Sequence, residues 1–173
     1  VPSYRIGPVR VERCDQCRFD GDDWDDASAT RAVAGLPGLW VDKLAGLTPD
    51  ELLRRPIPEM WSIAEYTDHV REVLFAMRFL LDTAVQQPGT DLGAAPESRF
   101  DPEPRLVDVE DALAGTDREA TALHDRLAGL PPAAWSSLVI VDGNERDAHW
   151  IVRHAVHDAT HHLGDVDRLR GVL

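Results

Sequence analysis

Basic residues are scarce in this chain. Eighteen lysines and arginines stand against 31 aspartates and glutamates, for a formal net charge of −13 and an isoelectric point near 4.8. An acidic surface of this kind is repelled by phosphate backbones and anionic lipid, so neither nucleic acid nor membrane is an expected partner. Long apolar runs are missing as well. No run approaches the length of a membrane span, and the first residues lack the basic-then-apolar pattern of a secretion signal, so the expectation is a soluble, cytoplasmic protein. Cysteine is confined to Cys14 and Cys17, a single CxxC with no second pair. Two thiolates make half of a tetrahedral zinc site. Three readings stay open: a redox pair, half a site completed by a histidine or a second chain, or a reduced turn in an N-terminal arm. Internal repeats, low-complexity tracts, a Ser-His-Asp elbow, a P-loop and a Rossmann turn are all absent. Strand candidates are nearly so. Only 137–141 favours β structure, and the turn residues Asp142, Gly143 and Asn144 after it allow one small hairpin before the last helix.

What the chain has is helical periodicity and histidine. Its 173 residues suit one domain with a proper core. Residues 1–24 show no clear period and read as an arm carrying the CxxC, and residues 25–173 read as the helical body. In 25–46, Val33, Leu36, Trp40 and Leu44 recur at helical spacing, but Pro37 between Gly35 and Gly38 predicts a break or kink. Thr48, Pro49 and Glu51 form a capped helix start, as do Ser62 and Glu65. After Ser62, the residues Val70, Val73, Leu74, Met77 and Leu81 give one buried face as far as about Gln87, with His69 on its flank. The stretch 87–105 is rich in proline and glycine and reads as a long crossover loop, a length that often marks a functional lid. A third long helix spans 106–130, stopped by Pro131 and Pro132, with Trp135 expected to plug one end of the core. Four long helices and one long crossover make an all-α four-helix bundle.

The last helical stretch, 147–170, holds His149, His154, His157, His161 and His162, five of the seven histidines. Its apolar face runs through Ile151, Val152, Ala155, Val156, Ala159, Leu163 and Val166. Two i,i+4 pairs compete as ligands: Asp158 with His162 at the border of that face, and His157 with His161, extended by His154, nearly opposite it. On the blander reading the outer stripe is a solvated face. Joined with His69, either pair makes three protein ligands with a fourth position open, the arrangement of a catalytic divalent metal. Imidazole and carboxylate suit zinc, nickel, iron or manganese alike.

The segment WSIAEYTDHVREVL, with Trp61 eight residues before His69, and the segment HAVHDATHHLGDVDRLR together resemble the DinB-like superfamily of four-helix metalloproteins. That superfamily includes bacillithiol- and mycothiol-dependent S-transferases and the mycothiol-dependent maleylpyruvate isomerase. The resemblance covers roughly residues 30–172. It implies one ligand at His69 and two from the last helix, where the x-Gly-polar tail matched by Gly164 and Asp165 assigns them to Asp158 and His162. It further implies one divalent metal ion, a metal-activated thiol of the mycothiol type as cosubstrate, a small-molecule substrate and a homodimer. Asp165, His157 and His161 are then candidates to orient the ligands, to carry protons or, for the two histidines, to serve as alternative ligands. The chain departs from relatives with an HRGQ-like tail at Leu163, where they carry arginine, and the CxxC arm is no part of the common bundle. A non-catalytic bundle that binds metal or a small molecule is the competing expectation.

Overall fold

Each long helix begins where a short polar side chain can accept from the free backbone N–H groups of its first turn. The computed structural model describes residues 11–95 and 101–173. Its helices are α1 (Asp26–Leu44), α2 (Pro49–Leu53), α3 (Ile63–Gln86), α4 (Val109–Ala128) and α5 (Ala148–Arg170). Asp25, Thr48, Ser62, Asp108 and Asp147 cap them in turn, and the reciprocal capping boxes of Thr48 with Glu51 and Ser62 with Glu65 are both formed. The four long helices form the bundle. α1 and α3 each pack against both α4 and α5, so α1 faces α3, and α4 faces α5, across the diagonals. No described helix is long and apolar enough to cross a membrane.

The expected break at Pro37 does not occur: α1 runs unbroken through it. Val33, Leu36, Trp40 and Leu44 lie along one stripe on both sides of the proline and are buried, Trp40 completely. Burying each such side chain contributes roughly 1.5–3 kcal/mol, and the stripe as a whole outweighs the ~3 kcal/mol lost with one helical hydrogen bond.

Two hairpins flank the bundle. β1 (Arg13–Cys14) pairs antiparallel with β2 (Phe19–Asp20), and β3 (Leu138–Val141) with β4 (Asn144–Asp147). The second hairpin turns on Asp142 and Gly143, both at positive φ, the two-residue geometry that matches strand twist. The crossover after α3 is not a free loop at its start. Gly89 donates to the Leu138 carbonyl at 2.8 Å, Ile140 to Thr90 at 2.8 Å and Leu92 to Ile140 at 2.9 Å, so 89–92 lies along β3 as a further edge. Residues 96–100, in the middle of the expected lid, lie outside the described residues.

Candidate metal centre

α3 and α5 pack side by side, and each turns one border of its apolar face toward the other. His69, one turn after the buried Glu65, meets Asp158 and His162 there. The carboxylate Oδ1 of Asp158 lies 3.6 Å from His69 Nε2 and 3.8 Å from His162 Nε2, and one donor atom from each residue falls within 4.8 Å of the others. These are separations at which donors share an ion, and they are too long for hydrogen bonds. Asp158 Oδ1 is buried and has no hydrogen-bond partner among the described residues. A buried carboxylate oxygen is costly without one, so a cation between the two imidazoles fits this trio better than an empty space.

The surroundings prepare all three groups for that role. Burial pushes the Asp158 carboxyl up, but the imidazoles of His69 and His162 outweigh it and hold the group below its ordinary value, as an anion. Burial pulls His162 down to about 4, against the attraction of Asp158 and with the repulsion of His69, so its ring is neutral at pH 7. Asp165, which is 4% exposed, sets the tautomer: its Oδ2 lies 2.6 Å from His162 Nδ1, which leaves Nε2 bare on the side of Asp158. Arg168 in turn holds the other oxygen of Asp165. Trp61 stands against the His69 ring at 5.0 Å and Tyr66 against His162 at 4.9 Å, so neither imidazole is free to swing.

The outer stripe of α5 is not the solvated face suggested by its helical wheel. The β1–β2 arm lies over it. Arg153 donates to the carbonyls of Gly21 and Trp24, and Gly21, itself donating to Glu12 O at 2.9 Å, is buried so tightly that a Cβ would meet Val11 at 3.1 Å. Glu12 accepts from His154 Nδ1 at 2.9 Å and stands 2.8 Å from His157 Nδ1. Burial raises the Glu12 carboxyl, but the two imidazoles overcome it and bring the group to about 2. Phe19 stacks on His157 at 4.6 Å. His161 turns Nδ1 toward Cys14 Sγ at 3.6 Å and Nε2 toward Asp165 Oδ2 at 3.9 Å. The structure therefore brings His69, Asp158 and His162 together on one side of α5 and carries His157 and His161 to the other, with Asp165 between. The remaining histidine of the stretch, His149, pairs with Asp26 at 2.8 Å and lies against Trp135.

Two further features go beyond the sequence reading. Glu65, foreseen only as a capping residue, is wholly buried and paired with Arg55, while its Oε1 also accepts from the Arg105 backbone at 2.9 Å. Arg55 also donates to the carbonyl of Asp101 at 2.6 Å, so this pair ties the end of the crossover to the start of α3, one turn before His69. The second feature is a groove of about 760 Å³ between α3, α5 and the β3–β4 hairpin. Ala76, Met77 and Leu80 from α3 and Trp150 and His154 from α5 line it, with Glu12 and Arg146 as polar points. On α5 its lining ends at His154, one helical turn short of Asp158, and none of the three trio residues lines it. Its size is that of a small-molecule site.

The sequence model of the DinB superfamily matches residues 39–166, which span His69, Asp158 and His162 and leave out the arm. No curated protein matches the chain. Among solved structures, YfiT from Bacillus subtilis, described as a probable metal-dependent hydrolase with an unusual four-helix bundle topology, aligns with a TM-score of 0.67 at 12% identity, over 95% of this chain and 94% of that one. At that identity the likeness establishes a shared fold.

Proposed function

The chain belongs to the DinB superfamily, and on that footing we propose that it is a divalent-metal-dependent enzyme whose ion is held by His69, Asp158 and His162. The proposed reaction is addition or transfer of a low-molecular-weight thiol of the mycothiol type, or an isomerisation that uses it. The observation that carries the metal reading is the buried, partnerless Oδ1 of Asp158 between two imidazole nitrogens. Three protein donors leave a coordination position for a reactant, where a structural site would be closed by a fourth residue. When bound, a zinc, nickel, iron or manganese ion supplies Lewis acidity that lowers the pKa of a thiol or water.

The chain's own residues do the rest. Asp165 is a positioning residue, holding the proton on His162 Nδ1 so that Nε2 presents a lone pair. Trp61 and Tyr66 fix the two rings and keep bulk water from their faces. The groove takes the carbon skeleton of the substrate along Ala76, Met77 and Leu80, and Arg146, stacked on Trp150 at 4.2 Å, offers a cation to an anionic substrate group. A thiol and an electrophile together suit a groove of about 760 Å³.

The competing reaction is hydrolysis, with water as the nucleophile, as the description of YfiT suggests for that protein. Metal content and thiol dependence separate the readings. Untagged protein, reconstituted with each metal, is expected to retain an ion at this centre that is lost in His69→Ala and His162→Ala, with helical circular dichroism unchanged. Turnover of an electrophile panel only when thiol is present supports the transferase reading. Turnover of esters or amides without thiol supports the hydrolase, and metal without turnover of either supports a binding protein. An ion content unaffected by both substitutions would remove the metal centre proposed here.

A further inference from the structure

The CxxC arm and the outer histidines of α5, neither used by the centre above, meet at one point. Donor atoms of Cys14, Cys17, His157 and His161 all lie within 4.8 Å of one another. Two thiols and two imidazoles at that spacing are a full tetrahedral set for zinc. We propose that these four residues form a second, closed metal site, which clamps the β1–β2 arm onto α5 and takes zinc or another thiolate-seeking divalent ion.

Three observations converge on it. First, both ring nitrogens of His157 are buried and lack a hydrogen-bond partner among the described residues. Glu12 Oε1 stands 2.8 Å from Nδ1, at ion-pair distance but outside hydrogen-bond geometry, which leaves Nε2 as the metal-binding nitrogen. Second, each histidine is backed by a carboxylate on its far side. Glu12 backs His157, and Asp165 lies 3.9 Å from His161 Nε2 while His161 Nδ1 faces Cys14 at 3.6 Å. Neither carboxylate contact is a hydrogen bond, but a carboxylate on that side of an imidazole is where proteins place the group that orients a metal ligand. Third, the turn between the cysteines points backbone N–H groups at both sulfurs. Arg18 adopts φ +61°, the backbone N–H groups of Gln16 and Cys17 face the Cys14 sulfur, and that of Phe19 faces the Cys17 sulfur.

Binding replaces the two S–H protons with metal–sulfur bonds and releases them to solvent, with no change of oxidation state. With four protein ligands no coordination position is left for a reactant, so the site is structural. It has a functional consequence all the same. The arm carries Glu12, which lines the groove, and Asp165 is shared between His161 here and His162 of the first centre. This inference does not depend on the reading of the His69 centre, because no ligand is common to both.

Cobalt(II) titration of the reduced, metal-stripped full chain tests it, because thiolate ligands give a sulfur-to-cobalt charge-transfer absorption that nitrogen and oxygen ligands cannot. The wild type is expected to develop that absorption and to lose it when zinc is added. The Cys14→Ser/Cys17→Ser double variant is expected to lack it with helical circular dichroism unchanged, and His69→Ala is expected to retain it. A second measurement needs no variant. In the wild type, zinc is expected to slow alkylation of both cysteines by at least about tenfold relative to chelator-treated protein, because coordinated thiolates are shielded. Saturating cobalt without a sulfur charge-transfer band, or alkylation rates indifferent to zinc, would overturn the proposal. Failure of His69→Ala to alter metal content bears on the first centre alone.

Discussion

At the scale of single residues, Asp165 has an influence out of proportion to its size. It contacts His162 at 2.6 Å, faces His161 at 3.9 Å and is held by Arg168 while 4% exposed. Asp165→Asn keeps the shape and removes the charge that fixes the His162 tautomer. Metal affinity at the His69 centre is expected to fall by about 10–100-fold, read by competition with a chromophoric chelator. Unchanged affinity with an intact fold would mean that Asp165 serves packing only. The border position of Asp158 and His162 is legible in the sequence because they lie one turn apart at the edge of an apolar helical face; their juxtaposition with His69 is implied only by the family resemblance. Glu12 and Glu65 are not legible in this way: nothing in a linear pattern says that a carboxylate will be buried against a particular partner.

At the scale of elements, α1 tests the balance between local propensity and packing. Pro37 has no N–H to donate to the preceding turn, yet the helix continues because its buried stripe spans both sides. Pro37→Ala is therefore expected to stabilise the protein, by up to about 3 kcal/mol, seen as a higher urea midpoint with an unchanged slope. A destabilised variant would show that the ring itself packs usefully. The capping boxes at Thr48 and Ser62 were readable because they depend on residues three apart. The local pattern at Pro37 predicts a break that the structure does not have, because contact with other helices holds α1 together.

At the scale of the whole molecule, two carboxylates are held far below their ordinary values by the folded structure. Glu65 is driven up by burial but brought to about 2 by Arg55, the Arg105 backbone and Ser62, and Glu12 is brought to about 2 by His154 and His157. A depressed carboxyl pKa stabilises the fold fully above the unfolded value near 4.5, and that contribution is lost as pH falls toward 2. For Glu65, wholly buried, the linkage is about 3 kcal/mol. Metal-free protein is expected to lose stability steeply between about pH 4.5 and 2. Glu65→Gln should flatten that limb by roughly one proton while lowering stability at neutral pH. Urea unfolding across pH checks both, and an unchanged acid limb would rule out the buried Arg55–Glu65 pair as its source.

The sequence alone determined the four-helix bundle, most of its helix starts, the hairpin at Asp142 and Gly143, and the border position of Asp158 and His162. All of these follow from periodicities of two to four residues and from capping side chains within a turn of the backbone they satisfy. Tertiary structure alone decided that α1 survives Pro37, that the start of the crossover lies along β3, and that the arm covers the outer histidines with Cys14 and Cys17 beside His157 and His161. Those outcomes depend on groups far apart in the chain, from about fifty residues for Gly89 and Leu138 to 147 for Cys14 and His161, which lie 3.6 Å apart. Burial, charge pairing and backbone hydrogen bonds between distant segments hold such groups together, and none of these is encoded within a single helical turn.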